Sequence, residues 1–407
     1  MSSLRTIRSI RVQNLLSYGP DAIEIELQPL NVLIGANASG KSNLIEAIGL
    51  LQAASTDLAA GLRAGGGIGE WLWKGQRNTN TIATIDATLY NGLPDARMSL
   101  RYRLEFTQVG QRIELLDETI ENERSQPGHA LPYFYYKYQR GQPVINIQHT
   151  NGTSGKVVEP PVRQIRRDDL LPDQSILSQR RDPDLYPEIT YLGRRFAEFH
   201  LYREWNLGRS TAPRLPQQAD LPADVLMEDA SNLALVLNNL QHHADYKQRL
   251  IRHLQLFYGN ITDVTTRIAG GTVQLFFHEQ GLTSPIPATR LSDGTLRFLC
   301  LLAVLLHPTP PPLICIEEPE LGLHPDIIPT LAELLIEASQ RTQLIITTHS
   351  DALVSALGHM PNSVLVCDRD AGGSRIRRLD PQQLAAWLET YTLGDLWRMG
   401  ELGGTRW

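Results

Sequence analysis

Long apolar runs are missing from this chain of 407 residues. The longest, Phe298 to Leu306, has nine residues, about half of what a membrane-spanning helix needs. Cysteine is scarce as well. Cys300, Cys315 and Cys367 have no ligand or disulfide spacing, which excludes a disulfide scaffold and a zinc ribbon and makes a reducing cytoplasm the expected setting. The N-terminus, MSSLRTIRSIRVQNLL, alternates polar and apolar residues and is not a secretory signal. Lysine is nearly absent, five residues against 33 arginines, and the net charge is −6. The chain as a whole is therefore not a general nucleic-acid binder. Clustered arginines would still suit planar contacts to phosphates and carboxylates. An apolar fraction of 42 % with 20 % charged residues excludes long disorder and rods, and the length calls for more than one domain.

Period and punctuation predict the elements. IRSIRV and AIEIEL read as strands, and LNVLIG as a buried strand ending in glycine. KSNLIEAIGLLQAA places Leu44, Ile48 and Leu51 on one face of a helix that starts where the glycines stop. Residues 81–90, 98–107 and 111–121 read as three strands, with a further hairpin in 133–149 around Arg140-Gly141. From 155 to 225 proline, arginine and aspartate crowd in, which predicts a loop-rich stretch with one short helix near 186–197. Residues 229–257 read as a buried helix or helix pair with Ser231 as N-cap. Strand and helix then alternate to about residue 367, which implies a parallel sheet with helices on its faces. The expected division is 1–154, a loop-rich and helical insertion at 155–260, and 261–407.

Four motifs carry chemistry. Gly35-Ala36-Asn37-Ala38-Ser39-Gly40-Lys41-Ser42 fits the phosphate-cradling pattern G-x-x-x-x-G-K-[ST], between a strand and a helix as that pattern requires. Gly35 and Gly40 would bare backbone amides, Lys41 would reach the β- and γ-phosphates, and the Ser42 hydroxyl would ligate Mg²⁺. Leu313 to Ile316 run into Glu317 and Glu318, two carboxylates at a strand tip suited to Mg²⁺ and to polarising water. His349 ends a strand that should neighbour theirs. Leu291-Ser292-Asp293-Gly294-Thr295 opens a helix, with Ser292 as cap and Gly294 exposing the backbone, the parts of a second anion site.

In this order, GANASGKSNLIEAI, LSDGT, EEPELGLHP and TTHS resemble the nucleotide-binding head of ABC-type ATPases. The likeness is to the RecF/SMC-like branch, and within it to stand-alone predicted ATPases called AAA_21 or AAA-15-like. SNLALVLNNL and YTLGDLWRMGELGG share that wording. The resemblance implies an α/β P-loop fold of ABC type: a mixed sheet flanked by helices, an antiparallel β subdomain and the insertion. It implies an ATPase whose heads form an ATP-dependent homodimer around two ATP molecules. Gly35, Asn37, Gly40, Lys41 and Ser42 would hold ATP and Mg²⁺ in one copy, and Ser292 and Gly294 would meet the γ-phosphate of the other. Glu317 would serve the metal, Glu318 would be the base, and His349 the γ-phosphate sensor. Leu321 to Pro325 would cross the dimer interface. Asp293, Thr295 and Glu317 depart from the commonest pattern. The glutamine that completes the Mg²⁺ set is assigned to Gln179, with Gln174 second. Too little chain follows His349 for the nuclease domain of OLD-type relatives.

Two functions are expected to compete. One is action on DNA or a DNA-processing partner, in repair or phage defence. The other is an ATP-gated scaffold that restrains or releases a separate effector, a nuclease or a toxin, without touching DNA. A transporter motor is disfavoured by the motif wording, and no membrane partner is expected. The DNA reading needs a basic track. Residues 160–214 supply arginines 163, 166, 167, 180, 181, 194, 195, 203, 209 and 214, with Phe199, Tyr202 and Trp205 as candidate stacking platforms.

Overall fold

The computed structural model describes residues 5–75, 81–94, 96, 98–139, 142–146 and 162–404. The chain forms two compact units. The first holds Met1–Gln28, Gly35–Phe199 and Val366–Arg377, and the second Pro29–Ile34, His200–Leu365 and Arg378–Trp407. The expected insertion is thus divided: its residues up to Phe199 go with the first unit, and those from His200 go with the second.

Among the described residues, the first unit is built on an eight-stranded antiparallel sheet. Its spatial order is Ile23–Glu26, Ile7–Gln13, Ala83–Leu89, Leu100–Val109, Arg112–Asn122, Phe134–Gln139, Gln142–Asn146 and Val162–Gln164. Alternation sets the core face: Leu100, Tyr102, Leu104 and Phe106 are all buried while the residues between them are partly open. The expected 133–149 hairpin is present as Phe134–Gln139 against Gln142–Asn146. Its Arg140-Gly141 turn lies outside the described residues, as does the expected 154/155 boundary. The helix Lys41–Ala54 buries Leu44, Ile48 and Leu51 as the spacing predicts, and the short helix of the proline-rich stretch is Pro187–Ala197.

The second unit is built on parallel strands in the order His200–Tyr202, Leu313–Glu317, Gln343–Thr347, Leu30–Gly35. Leu313 to Ile316 and the whole of Gln343–Thr347 are buried, the signature of strands covered on both faces. The helix Asp293–Leu305 is apolar nearly all round and buries ten residues. A small antiparallel sheet is made by Gln217–Gln218, Thr272–Glu279 and Ile261–Ala269, with Ile286–Pro287 against its middle strand.

The 229–257 stretch is a helix pair, Leu233–Leu240 and Ala244–Phe257. Ser231 is not the cap. Asn232 holds that position and gives no capping bond, because its amide is spent on Pro222 O at 2.7 Å, Val225 O at 2.9 Å and Met227 N at 2.8 Å. The three thiols are buried. Burial pushes Cys300 and Cys367 up to about 12 and Cys315 higher still, so all three are inert packing groups.

Candidate active site

The buried strand Leu30–Gly35 delivers the chain into the glycine loop of the first unit. Gly35 (φ 150°), Ala38 (62°) and Gly40 (106°) all have positive φ, the kind of backbone that interrupts right-handed residues in an anion-binding nest. The two glycines are also sterically fixed. A Cβ on Gly35 would lie 2.3 Å from Cys367 O, and one on Gly40 would lie 2.2 Å from Ser374 Oγ and 2.8 Å from Ser17 Oγ. Tyr18, fully buried, donates to Gly40 O at 3.0 Å and supports the loop from beneath.

Lys41 Nζ donates to Gly35 O at 2.8 Å and Ala36 O at 3.0 Å, so the cation bridges the mouth of the loop it opens from. Asn37 and Ser42 are exposed. Ser39 Oγ is buried without a hydrogen-bond partner among the described residues. Arg369 reaches the loop rim, donating to Ala38 O at 3.4 Å. The sequence reading missed this contact, because 331 residues separate the two. A cradle that a Cβ would fill, a cation at its mouth and an orphaned hydroxyl in its floor fit a polyphosphate.

In the second unit, Glu317 lies opposite Thr347, and Thr347 opposite Leu33, so both ladders reach the edge where Leu30–Gly35 ends. Glu317 is the last residue of its strand. Glu318 is left-handed at φ 44°, with its N–H donating to Thr347 O at 3.0 Å and contacting Thr347 Oγ1 at 3.3 Å. A non-glycine residue in that region costs about 1–2 kcal/mol and persists only where its surroundings hold it. The twist takes the Glu318 side chain out of strand alternation. His349 Nε2 then stands 3.8 Å from Glu318 Oε1.

Glu320, which sequence reasoning passed over, brackets this arrangement. Its Oε1 accepts from Thr348 Oγ1 at 2.5 Å and from His349 N at 3.0 Å, while Oε2 is buried with no partner among the described residues.

Ser292 caps the helix Asp293–Leu305, its Oγ accepting from Thr295 N at 3.0 Å and lying 2.7 Å from Thr295 Oγ1. A Cβ on Gly294 would lie 2.7 Å from Gly322 O. Only glycine therefore lets the Leu321–Pro325 segment cross the helix start. Leu321 itself is exposed.

Gln179 and Gln174 both lie in the first unit beside a short helix, Ile176–Gln179. Gln179 Oε1 accepts from Leu171 N at 2.7 Å and its Nε2 donates to Gln174 O at 2.8 Å. Gln174 bonds Leu58 N at 3.0 Å and Asp57 Oδ1 at 2.6 Å. Gln179 thus serves a local turn, and Gln174 ties that turn to the start of the helix Leu58–Ala64. Among the described residues no cage of three or more His, Cys, Asp and Glu side chains is present. Mg²⁺ asks for less: it keeps most of its waters and takes one or two protein oxygens. In the first unit the exposed Ser42 carries a hydroxyl oxygen of that kind.

The expected stacking platforms are overturned. Phe199, Tyr202 and Trp205 are all buried, Phe199 packing on Phe196 with ring centroids 5.4 Å apart and Tyr202 on Trp205 at 5.6 Å. Joining the parallel sheet through His200–Tyr202 puts these rings in the core. Arg214 leaves the basic track too, being 3 % exposed. Arg181 donates to Ser55 O at 2.6 Å. Arg163 and Arg166 remain exposed, and the Arg167 side chain lies outside the described residues.

Residues 30–355 match the family described as "AAA domain, putative AbiEii toxin, Type IV TA system". The SmcHead bound to the C-winged helix domain of ScpA superposes with a TM-score of 0.57 at 14 % identity, covering 93 % of this chain and 99 % of that one. The Smc head domain with an extended coiled coil, bound to the C-terminal domain of ScpA derived from Pyrococcus furiosus, gives 0.57 at 13 %, covering 94 % and 98 %. These likenesses establish the mixed α/β P-loop head fold. A curated relative, the Old nuclease of Escherichia phage P2, is 43 % identical over 67 residues. That match covers 16 % of this chain and 11 % of the relative.

Proposed function

Because this chain belongs to the AAA_21 family of AAA-domain proteins over residues 30–355, we propose that it binds and hydrolyses ATP with Mg²⁺ and that two copies close around two ATP molecules. Gly35, Asn37, Gly40, Lys41 and Ser42 hold the triphosphate. Ser42 and Glu317 serve the metal. Glu318 takes the proton of the attacking water, and His349 meets the γ-phosphate. Ser292 and Gly294 face the nucleotide of the second copy. Gln179 joins the Mg²⁺ set by exchanging its bonds to Leu171 and Gln174.

The observation that carries this reading is the left-handed Glu318 with His349 3.8 Å away. A carboxylate held at a conformational cost beside an imidazole, just past an apolar strand, has no packing purpose and suits a general base. The test is mass measurement with and without ATP, combined with Ser292→Arg. ATP should raise the mass to a dimer, and Ser292→Arg should bind ATP normally but hydrolyse it slowly. An unchanged mass with ATP and full turnover by Ser292→Arg would contradict closure around the nucleotide.

For the output of the cycle, the segment 155–260 acts as a lid or docking surface. Burial of Phe199, Tyr202 and Trp205 leaves no aromatic platform of that set for bases, and Arg214 is not available to phosphates. This favours the gating of a separate effector, a nuclease or toxin, over direct action on DNA in repair or phage defence.

A further inference from the structure

Arg214 is among the most buried charged residues described, 3 % exposed. A buried guanidinium is costly unless its donors are filled. Here they are filled almost wholly by one short stretch. Nη1 donates to Ala288 O at 3.3 Å and to Leu291 O, and Nη2 donates to Asp293 Oδ1. Nε donates to Leu207 O at 2.7 Å, tying the same side chain to its own loop. The bonds to Leu291 and Asp293 flank Ser292, the cap of the helix Asp293–Leu305, on both sides. Asp293 itself stands where the ABC pattern commonly has a glycine, and its side chain is 75 % exposed apart from this contact. One turn further along the helix, the Arg297 guanidinium lies over the Trp205 ring, 5.8 Å from its centroid. Both contacts come from one segment, Trp205 to Arg214.

We propose that Arg214 is a positioning residue that holds Leu291 to Asp293 in place, so that the segment Trp205–Arg214 sets the orientation of Ser292 toward the nucleotide of the second copy. An apolar residue would fill this volume at lower cost. What the arginine adds is direction: planar, divergent donors that fix three acceptors of one loop relative to each other. The segment also continues the insertion, so a partner that moves it would alter hydrolysis without touching the glycine cradle. This inference rests on the ATPase reading above and concerns the regulation of that same site.

The test compares Arg214→Lys, Asp293→Asn and the double variant with the wild-type chain, in ATP affinity, ATP-dependent mass, kcat and KM. Each single variant should keep ATP affinity within about twofold, since the cradle is untouched, and lose about tenfold or more in kcat, the scale of one charged hydrogen bond. The double variant should be no worse than Arg214→Lys, because Asp293→Asn weakens only a contact that Arg214→Lys already disrupts. Thermal melting guards against misfolding, and the exposed Asp293 gives a variant that leaves the buried arginine in place. Wild-type kcat in both singles, or losses that multiply in the double, would overturn the inference. So would parallel loss of ATP affinity and melting temperature, which marks a purely structural arginine. A wild-type chain that neither hydrolyses ATP nor dimerises with it overturns the ATPase reading, and this inference with it.

Discussion

His349 presents its Nε2 3.8 Å from Glu318 Oε1 while its own backbone N–H donates to Glu320 Oε1 at 3.0 Å. The two acids of one turn thus hold the two ends of one histidine. Glu320 fixes the backbone, with Thr348 Oγ1 as a second donor at 2.5 Å, and Glu318 meets the ring. The strand-end loop after Thr347 and the turn after Glu317 are therefore tied to each other through His349 and Thr348.

Lys41→Ala should abolish ATPase activity and weaken ATP binding by about 100-fold, the order expected when a buried charge partner is removed. In the structure the cation is satisfied by Gly35 O and Ala36 O, so the loop should also loosen without nucleotide. A fluorescent ATP-analogue titration with steady-state turnover checks both. Wild-type affinity and turnover would remove the cradle from the account.

Replacing Arg163, Arg166 and Arg167 together should leave the salt dependence of any DNA binding unchanged to within one unit of slope. Under the effector reading these arginines make no phosphate contacts, so their removal releases no fewer counterions. Fluorescence anisotropy of labelled DNA across a salt titration measures it. A slope flatter by about three units, roughly one per phosphate contact, would restore direct DNA action.

Glu118 should make the stability of the first unit depend on pH. It is 1 % exposed, and burial pushes its carboxyl up to about 7 against the pull of donors from Ser175, Ile176 N and Tyr102. The folded value lies above the unfolded one, so the folded state holds a proton that the unfolded chain releases. Stability from this group is complete below about pH 4 and is lost as pH rises to about 7. Between pH 5 and pH 8 the wild-type chain should lose on the order of 3 kcal/mol relative to Glu118→Gln. Urea unfolding of both proteins at the two pH values measures this. Parallel pH profiles would show that Glu118 does not titrate in that window.

What was legible in the sequence was local. The cradle could be read because a fully apolar strand, glycines and a helix follow one another, and the Ser292 cap because Thr295 N is only three residues away. The helix pair was legible from its spacing, although Asn232 displaced Ser231 because its amide turns back to three backbone groups that no pattern predicts. Glu320 and Arg214 were hidden because their partners lie 28 to 29 and up to 79 residues away. The buried Phe199, Tyr202 and Trp205 misled for another reason. They stand in arginine- and proline-rich text whose composition reads as surface loop, while three residues at His200–Tyr202 pair with Ile314–Ile316 and draw the rings inward. Glu318 falls between: its identity was readable, its left-handed backbone was not.

Glu317 and Glu318 are assigned unequal roles, and single-turnover hydrolysis with dimer mass across a Mg²⁺ titration separates them. Glu317 ends the strand, and Glu318 twists away from it toward His349. Removing a general base costs roughly 10²- to 10⁴-fold in rate without lowering ground-state affinity. Glu318→Gln should therefore bind ATP, form the dimer and stall there at every Mg²⁺ concentration. Glu317→Gln should hydrolyse poorly at low Mg²⁺ and recover in part at high Mg²⁺. A long-lived ATP dimer in Glu317→Gln together with Mg²⁺ rescue of Glu318→Gln would contradict the assignment, and normal hydrolysis by both would remove this strand from catalysis.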